Sequence, residues 1–135
     1  MTPNARTLRL ALLALAVLFA DAAGAEEAAP AGSPIGGEEL AARIAAGDAP
    51  LILDVRTPAE FEAGHLPGAR NVPHDALADR LPALGLAPDA EIVVHCHSGR
   101  RASEAEQVLR EAGHTNVRDL TGHWQAWRRA ELPTE

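Results

Sequence analysis

Two short apolar runs in this chain lack polar–apolar alternation: Leu51-Ile52-Leu53-Asp54-Val55 and Glu91-Ile92-Val93-Val94-His95. A strand that is apolar on both faces must be covered on both faces, which is the situation of parallel strands joined by crossover helices. Helical patterns follow each run. Thr57-Pro58-Ala59-Glu60 has a cap, a proline for the first turn and the glutamate of a capping box, with Gly64 ending that short helix. Ala105, Val108, Leu109 and Ala112 place the apolar stripe of a helix over Ala102–Ala112, closed by Gly113.

The remaining segments fit the same alternation. Glu38–Ala46 reads as a helix with Gly47 at its end, and Ala69–Val72 as a brief strand. Asp75–Leu84 has Leu77, Leu81 and Leu84 on one side and is interrupted by Pro82. Val117–Leu120 is a last strand, and His123–Arg129 a last helix carrying Trp124 and Trp127. Strands alternating with helices predict an α/β fold: a central, mostly parallel sheet with helices on both faces.

The first residues follow a different logic. Arg6 and Arg9 precede an unbroken apolar run of 11 residues, Leu10–Ala20, and Ala23-Gly24-Ala25 supplies the small residues of a cleavage site. This order is that of a secretory signal peptide, and the run is too short to cross a bilayer. Residues 1–25 are therefore expected to be removed, with 26–34, rich in Ala, Glu, Pro and Gly, as a flexible lead-in and 35–135 as one folded domain. The expected location is periplasmic or secreted, with no membrane association after cleavage.

Removing residues 1–25 takes away Arg6, Arg9 and Asp21, leaving 10 basic and 18 acidic residues and a formal charge of −8. That balance excludes nucleic acid and anionic lipid as partners of the whole surface. An anionic substrate must instead meet a local positive site. The chain has one cysteine, so no internal disulfide can form. An unpaired thiol in an oxidising compartment is a liability unless buried or used.

Cys96 follows the Glu91–His95 run and precedes the Ala102–Ala112 helix, the end of a strand where α/β folds bind ligands. The connection Cys96-His97-Ser98-Gly99-Arg100-Arg101 can curl its backbone N–H groups inward, next to a helix N-terminus. Gly99 permits the turn, and Arg100 and Arg101 add positive charge. These features favour a thiolate, the nucleophilic form of cysteine.

Three blocks, in order, resemble the rhodanese family. They are Leu53-Asp54-Val55-Arg56; Glu60-Phe61 with Gly64-His65-Leu66-Pro67-Gly68-Ala69-Arg70-Asn71-Val72-Pro73; and Val94-His95-Cys96-His97-Ser98-Gly99-Arg100-Arg101-Ala102-Ser103. The resemblance spans about Ile35 to Pro133. It implies a thiosulfate sulfurtransferase in which Cys96 accepts sulfane sulfur as a persulfide and passes it to cyanide, a small thiol or a protein thiol. The backbone of His97, Ser98, Gly99, Arg100 and Arg101 would cradle the sulfur, and Arg100 and Arg101 would bind the anionic donor. Asp54 and Arg56 would support the loop as an ion pair or cap, and Arg56 could pair with Glu60. No cofactor and no metal is implied. One departure is Gly122-His123-Trp124, where many relatives have two glycines before the tryptophan; His123 could reach the rim of the site.

Other readings remain open. A cysteine-dependent phosphatase or arsenate reductase needs an arginine six residues after the cysteine, where this chain has Ala102. A non-catalytic binding module could share the fold. His95, Cys96 and His97 are consecutive metal-ligand types, but neighbours on a strand point to opposite faces. His95 is expected in the core or at the strand end, and His97 on the loop.

Overall fold

The structure is a computed structural model and describes residues 29–135. The expected signal peptide, residues 1–25, lies outside the described residues. The elements run α1 (Gly37–Ala45), β1 (Leu51–Asp54), α2 (Pro58–Glu62), β2 (Arg70–Asn71), α3 (Leu77–Arg80), a 3-10 turn (Leu81–Leu84), β3 (Ile92–His95), α4 (Arg100–Glu111), β4 (Val117–Asp119) and α5 (His123–Arg129). The strands form one four-stranded sheet in the order β2-β1-β3-β4, with every pairing parallel. Ile35 extends it by an isolated parallel bridge to Leu120.

The two central strands are buried on both sides, as their unbroken apolar runs require. Leu53, Ile92 and Val94 point into a cluster with Leu77, Ala102, Ala105 and Leu109, under α3 and α4. Ile52 and Val93 point the other way, into a cluster with Ile35, Leu40, Leu66, Leu120 and Trp127, under α1 and α5. Alternate residues of one strand therefore serve two cores, and helices lie on both faces.

Local signals settle the element ends. The capping box at α2 is complete: the Glu60 amide donates to Thr57 Oγ1 at 3.2 Å and the Thr57 amide to Glu60 Oε1 at 3.3 Å. Pro82, which has no N–H, ends α3 at Arg80 and leaves a 3-10 turn where a longer helix was expected. The end of the expected flexible lead-in is tied down. The Gly32 amide donates to Asn116 Oδ1 at 2.9 Å, and Arg118 donates to the carbonyls of Ser33 and Pro34. These contacts meet backbone groups that the Ile35 bridge brings against the sheet edge.

The register of the central pair positions the site. Asp54 lies opposite His95, so Asp54, Arg56, His95 and Cys96 all emerge at the carboxyl end of the sheet, where the crossover connections leave room for a ligand.

Candidate active site

The loop after β3 is shorter than the sequence suggested. Helix α4 begins at Arg100, with Gly99 as its N-cap residue, so only Cys96–Gly99 span the gap. Arg100 and Arg101 occupy the first helical turn rather than the loop. Sequence preference argues against that start, because cations at a helix N-terminus oppose the macrodipole. Gly99 makes it feasible. Its φ of +130° is one that L side chains rarely adopt, and a Cβ there would stand 3.2 Å from His123 Nε2.

Within this loop the Gly99 amide donates to Cys96 Sγ at 3.0 Å. The donor sits at the amino end of a 12-residue helix, so the amide and the helix terminus both present positive potential to the sulfur. Cys96 is only 1% exposed, whereas His97, Ser98 and Arg100 around it are exposed. The sulfur thus lies at the bottom of a short rim of polar residues.

Beneath the loop lies a buried ion pair. Arg56 Nη2 donates to Asp54 Oδ2 at 2.6 Å and Arg56 Nε to Asp54 Oδ1 at 2.9 Å. Arg56 also donates to the Gly64 carbonyl at 2.7 Å, and its guanidinium stacks 4.4 Å from the centre of the Trp124 ring. The expected Arg56–Glu60 pair does not form, because Arg56 is drawn inward by these acceptors. His95 is fully buried, with Nδ1 donating to the Cys96 carbonyl at 3.2 Å and Nε2 at 3.6 Å from Asp54 Oδ2. Burial lowers its pKa to about 4 against the opposing pull of Asp54, which leaves the ring neutral at pH 7.

Glu60 is instead the partner of Arg101. Arg101 Nη1 and Nη2 donate to Glu60 Oε1 and Oε2 at 2.6 and 3.0 Å, the forked geometry that suits a guanidinium and a carboxylate. The hydrogen bonds from Arg101 lower the Glu60 pKa to about 2. Arg101 therefore reaches the site already paired, while Arg100 is exposed and makes no ion pair among the described residues.

His123 does not sit on the rim. It is 6% exposed and packs under the loop, where its Nδ1 accepts the Cys96 backbone N–H at 3.2 Å. An acceptor at Nδ1 places the ring proton on Nε2, which lies 3.3 Å from Asp119 Oδ1. Behind Asp119 is Glu106, buried on α4 with one carboxyl oxygen unpartnered. Burial, and then the charge of Asp119, raise the Glu106 pKa to about 7. The contacts of His123, Asp119 and Glu106 with one another and with the loop escaped the sequence reading; the histidine in place of a second glycine was the only local signal.

Comparison with known proteins agrees with this architecture. Residues 37–130 match the Rhodanese-like domain family. A sulfurtransferase of Allochromatium vinosum is 34% identical over 99 residues, covering 73% of this chain and 91% of its own. The human single-domain sulfurtransferase TSTD1 superposes with a TM-score of 0.64 at 30% identity, over 71% of this chain and 95% of its own. An HTH-type transcriptional regulator of Mycobacterium tuberculosis is 39% identical over 123 residues, 90% of this chain, which spans 50% of the regulator's length. With its parallel sheet, its cysteine loop after β3 and a match across residues 37–130, this chain belongs to the rhodanese-like domain family.

Proposed function

We propose that this protein is a sulfurtransferase of the thiosulfate type that carries sulfane sulfur as a persulfide on Cys96. The observation that carries this reading is the Gly99 amide aimed at Cys96 Sγ at 3.0 Å from the start of α4. Sulfurtransferases among the similar proteins support it.

The step balances without an added oxidant. The Cys96 thiolate attacks the outer sulfur of thiosulfate, forming an Sγ–S bond while the bond from that sulfur to the sulfonate breaks and sulfite leaves. Cyanide or a thiolate then attacks the terminal sulfur and takes it as thiocyanate or a new persulfide, returning the Cys96 thiolate. An N–H donor and a helix N-terminus stabilise anionic sulfur in both forms. Arg100, exposed and without an ion pair among the described residues, is the cation placed to meet an anionic donor, and no metal or organic cofactor enters the cycle.

Intact-mass spectrometry before and after thiosulfate, then after cyanide, tests this reading. The expected result is one added sulfur atom, removed by cyanide and absent in Cys96→Ser. No added mass with thiosulfate or other sulfane donors would overturn it in favour of a non-catalytic binding module.

We also propose that the protein acts in the periplasm or outside the cell, on the strength of the charged, apolar and small-residue zones in residues 1–25. Fractionation and N-terminal sequencing test this: a mature start near Glu26 is expected, and an intact cytoplasmic chain would refute it.

A further inference from the structure

We propose that His123 is a positioning residue for sulfur transfer: its Nδ1 holds the Cys96 amide, with Asp119 behind it at Nε2, and this contact sets where the sulfur meets the Gly99 N–H. The inference rests on the sulfurtransferase reading for its kinetic consequence, though not for the contact itself.

Three independent features converge on His123. Its Nδ1 is 3.2 Å from the Cys96 amide nitrogen, which is bonded to the Cα that carries the thiol side chain. Its Nε2 lies both 3.3 Å from Asp119 Oδ1 and 3.2 Å from where a Cβ on Gly99 would be. One imidazole therefore touches both ends of the four-residue loop that carries the sulfur. Its backbone φ is +53°, a left-handed conformation costing an ordinary residue roughly 1–2 kcal/mol. That strain is retained at a position flanking the site, where His123 follows Gly122 (φ of +76°) and closes the turn by donating its amide to the Leu120 carbonyl.

The proton arrangement follows from the contacts. A backbone amide can only donate, so Nδ1 must be unprotonated to receive it. The Asp119 carboxylate favours the proton on Nε2 and so fixes the tautomer that provides the acceptor. Glu106 lies beside Asp119 on the α4 side, His95 and Cys96 lie on β3 and its loop, and Glu38 of α1 lines the cleft that reaches His123 from the other face. With Nδ1 engaged, the peptide plane that ends at the Cys96 Cα is held in one orientation, which restricts where the side chain carrying Sγ starts.

A matched pair of variants separates positioning from simple filling of space. Glycine and asparagine both tolerate positive φ, but only the asparagine Oδ1 can stand where Nδ1 stands. The rate of Cys96 persulfide formation with thiosulfate is expected to fall about 10- to 100-fold in His123→Gly, the scale of a misplaced reacting group, and to recover at least in part in His123→Asn. Alkylation of Cys96 by iodoacetamide should follow the same order, a readout that does not depend on sulfurtransferase activity. The Cys96 amide proton in NMR spectra should move upfield in His123→Gly and stay near its wild-type position in His123→Asn. Asp119→Ala, at a partly exposed position, should populate the other His123 tautomer in ring nitrogen spectra and slow loading several-fold. Equal loading and alkylation in the wild type and His123→Gly, or an asparagine variant no better than glycine, would overturn the inference. A wild type that alkylates in this order but never loads sulfur would refute the sulfurtransferase reading alone.

Discussion

Arg101 on the first turn of α4 is joined to Glu60 of α2 by two hydrogen bonds of 2.6 and 3.0 Å. The pair links the helix that follows the Cys96 loop to the capping box of α2 in the connection between β1 and β2, since Glu60 Oε1 also receives the Thr57 amide. It cancels the charge of one of two adjacent arginines and leaves the other, Arg100, free.

Glu60→Gln should therefore release Arg101 and sharpen its interaction with an anionic donor. We expect the KM for thiosulfate to fall severalfold, while Arg100→Ala raises it and changes kcat little. Steady-state kinetics with both variants checks this. An unchanged KM in both would remove the arginines from donor binding.

The same substitution carries a stability cost with a defined pH window. The Glu60 pKa is lowered from 4.5 to about 2, so its contribution is present above pH 4.5 and is lost as pH falls toward 2. Because the pair is partly exposed, the expected loss in Glu60→Gln is about 1 kcal/mol at pH 7. Urea denaturation at pH 7 and pH 3 measures it, and the difference between variant and wild type should shrink at the lower pH.

Asp54→Asn leaves the Arg56 charge buried with the Gly64 carbonyl and the Trp124 ring but no counter-charge. Removing one partner of a buried pair costs about 3–5 kcal/mol. A loss of that size in chemical denaturation is expected, against a near-neutral result if the pair were solvent-exposed.

Glu106 works in the opposite direction. Its folded pKa of about 7 lies above the unfolded 4.5, so the native state holds a proton that the unfolded chain has lost, and stability falls as pH rises between those values. Glu106→Gln removes that fall and can donate an N–H toward Asp119 at every pH. We expect the variant to be more stable than the wild type by roughly 1–2 kcal/mol at pH 8, after allowance for solvent screening, and similar to it near pH 4.5. Thermal melts across this range decide it.

His95 should dominate the acid side. It stays neutral in the native state down to about pH 4, while the unfolded residue takes a proton near 6.5. Stability is then full above 6.5 and declines as pH falls toward 4, by about 2–3 kcal/mol. In His95→Asn this decline should be largely absent, whatever the variant's stability at neutral pH. A decline of unchanged size would assign it to other groups.

Much of the fold was legible because its signals are local. The unalternating runs at Leu51–Val55 and Glu91–His95 announced strands covered on both faces. Thr57, Pro58 and Glu60 announced a helix start to the residue, and Cys96 announced its place at a strand end. The start of α4 was misplaced by two residues, since Arg100 and Arg101 oppose the helix dipole, while the N-cap at Gly99 takes a φ of +130° in a space where a Cβ would stand 3.2 Å from His123 Nε2.

The partners of the site residues were beyond the sequence by itself. Arg56 had both Asp54 and Glu60 within reach along the chain, and the choice fell to the buried Gly64 carbonyl and Trp124 ring, which draw it inward. That released Glu60 for Arg101, 41 residues away. His123, 27 residues from Cys96, meets its amide because β4 lies beside β3 and delivers α5 beneath the loop. The chain alone determined which segments form strands and helices and that Cys96 stands at the end of a strand, because backbone sterics, capping and side-chain period act over a few residues. Which charges pair and which histidine touches the reactive loop was decided only by the packing of the sheet, because such contacts depend on distances that no local spacing encodes.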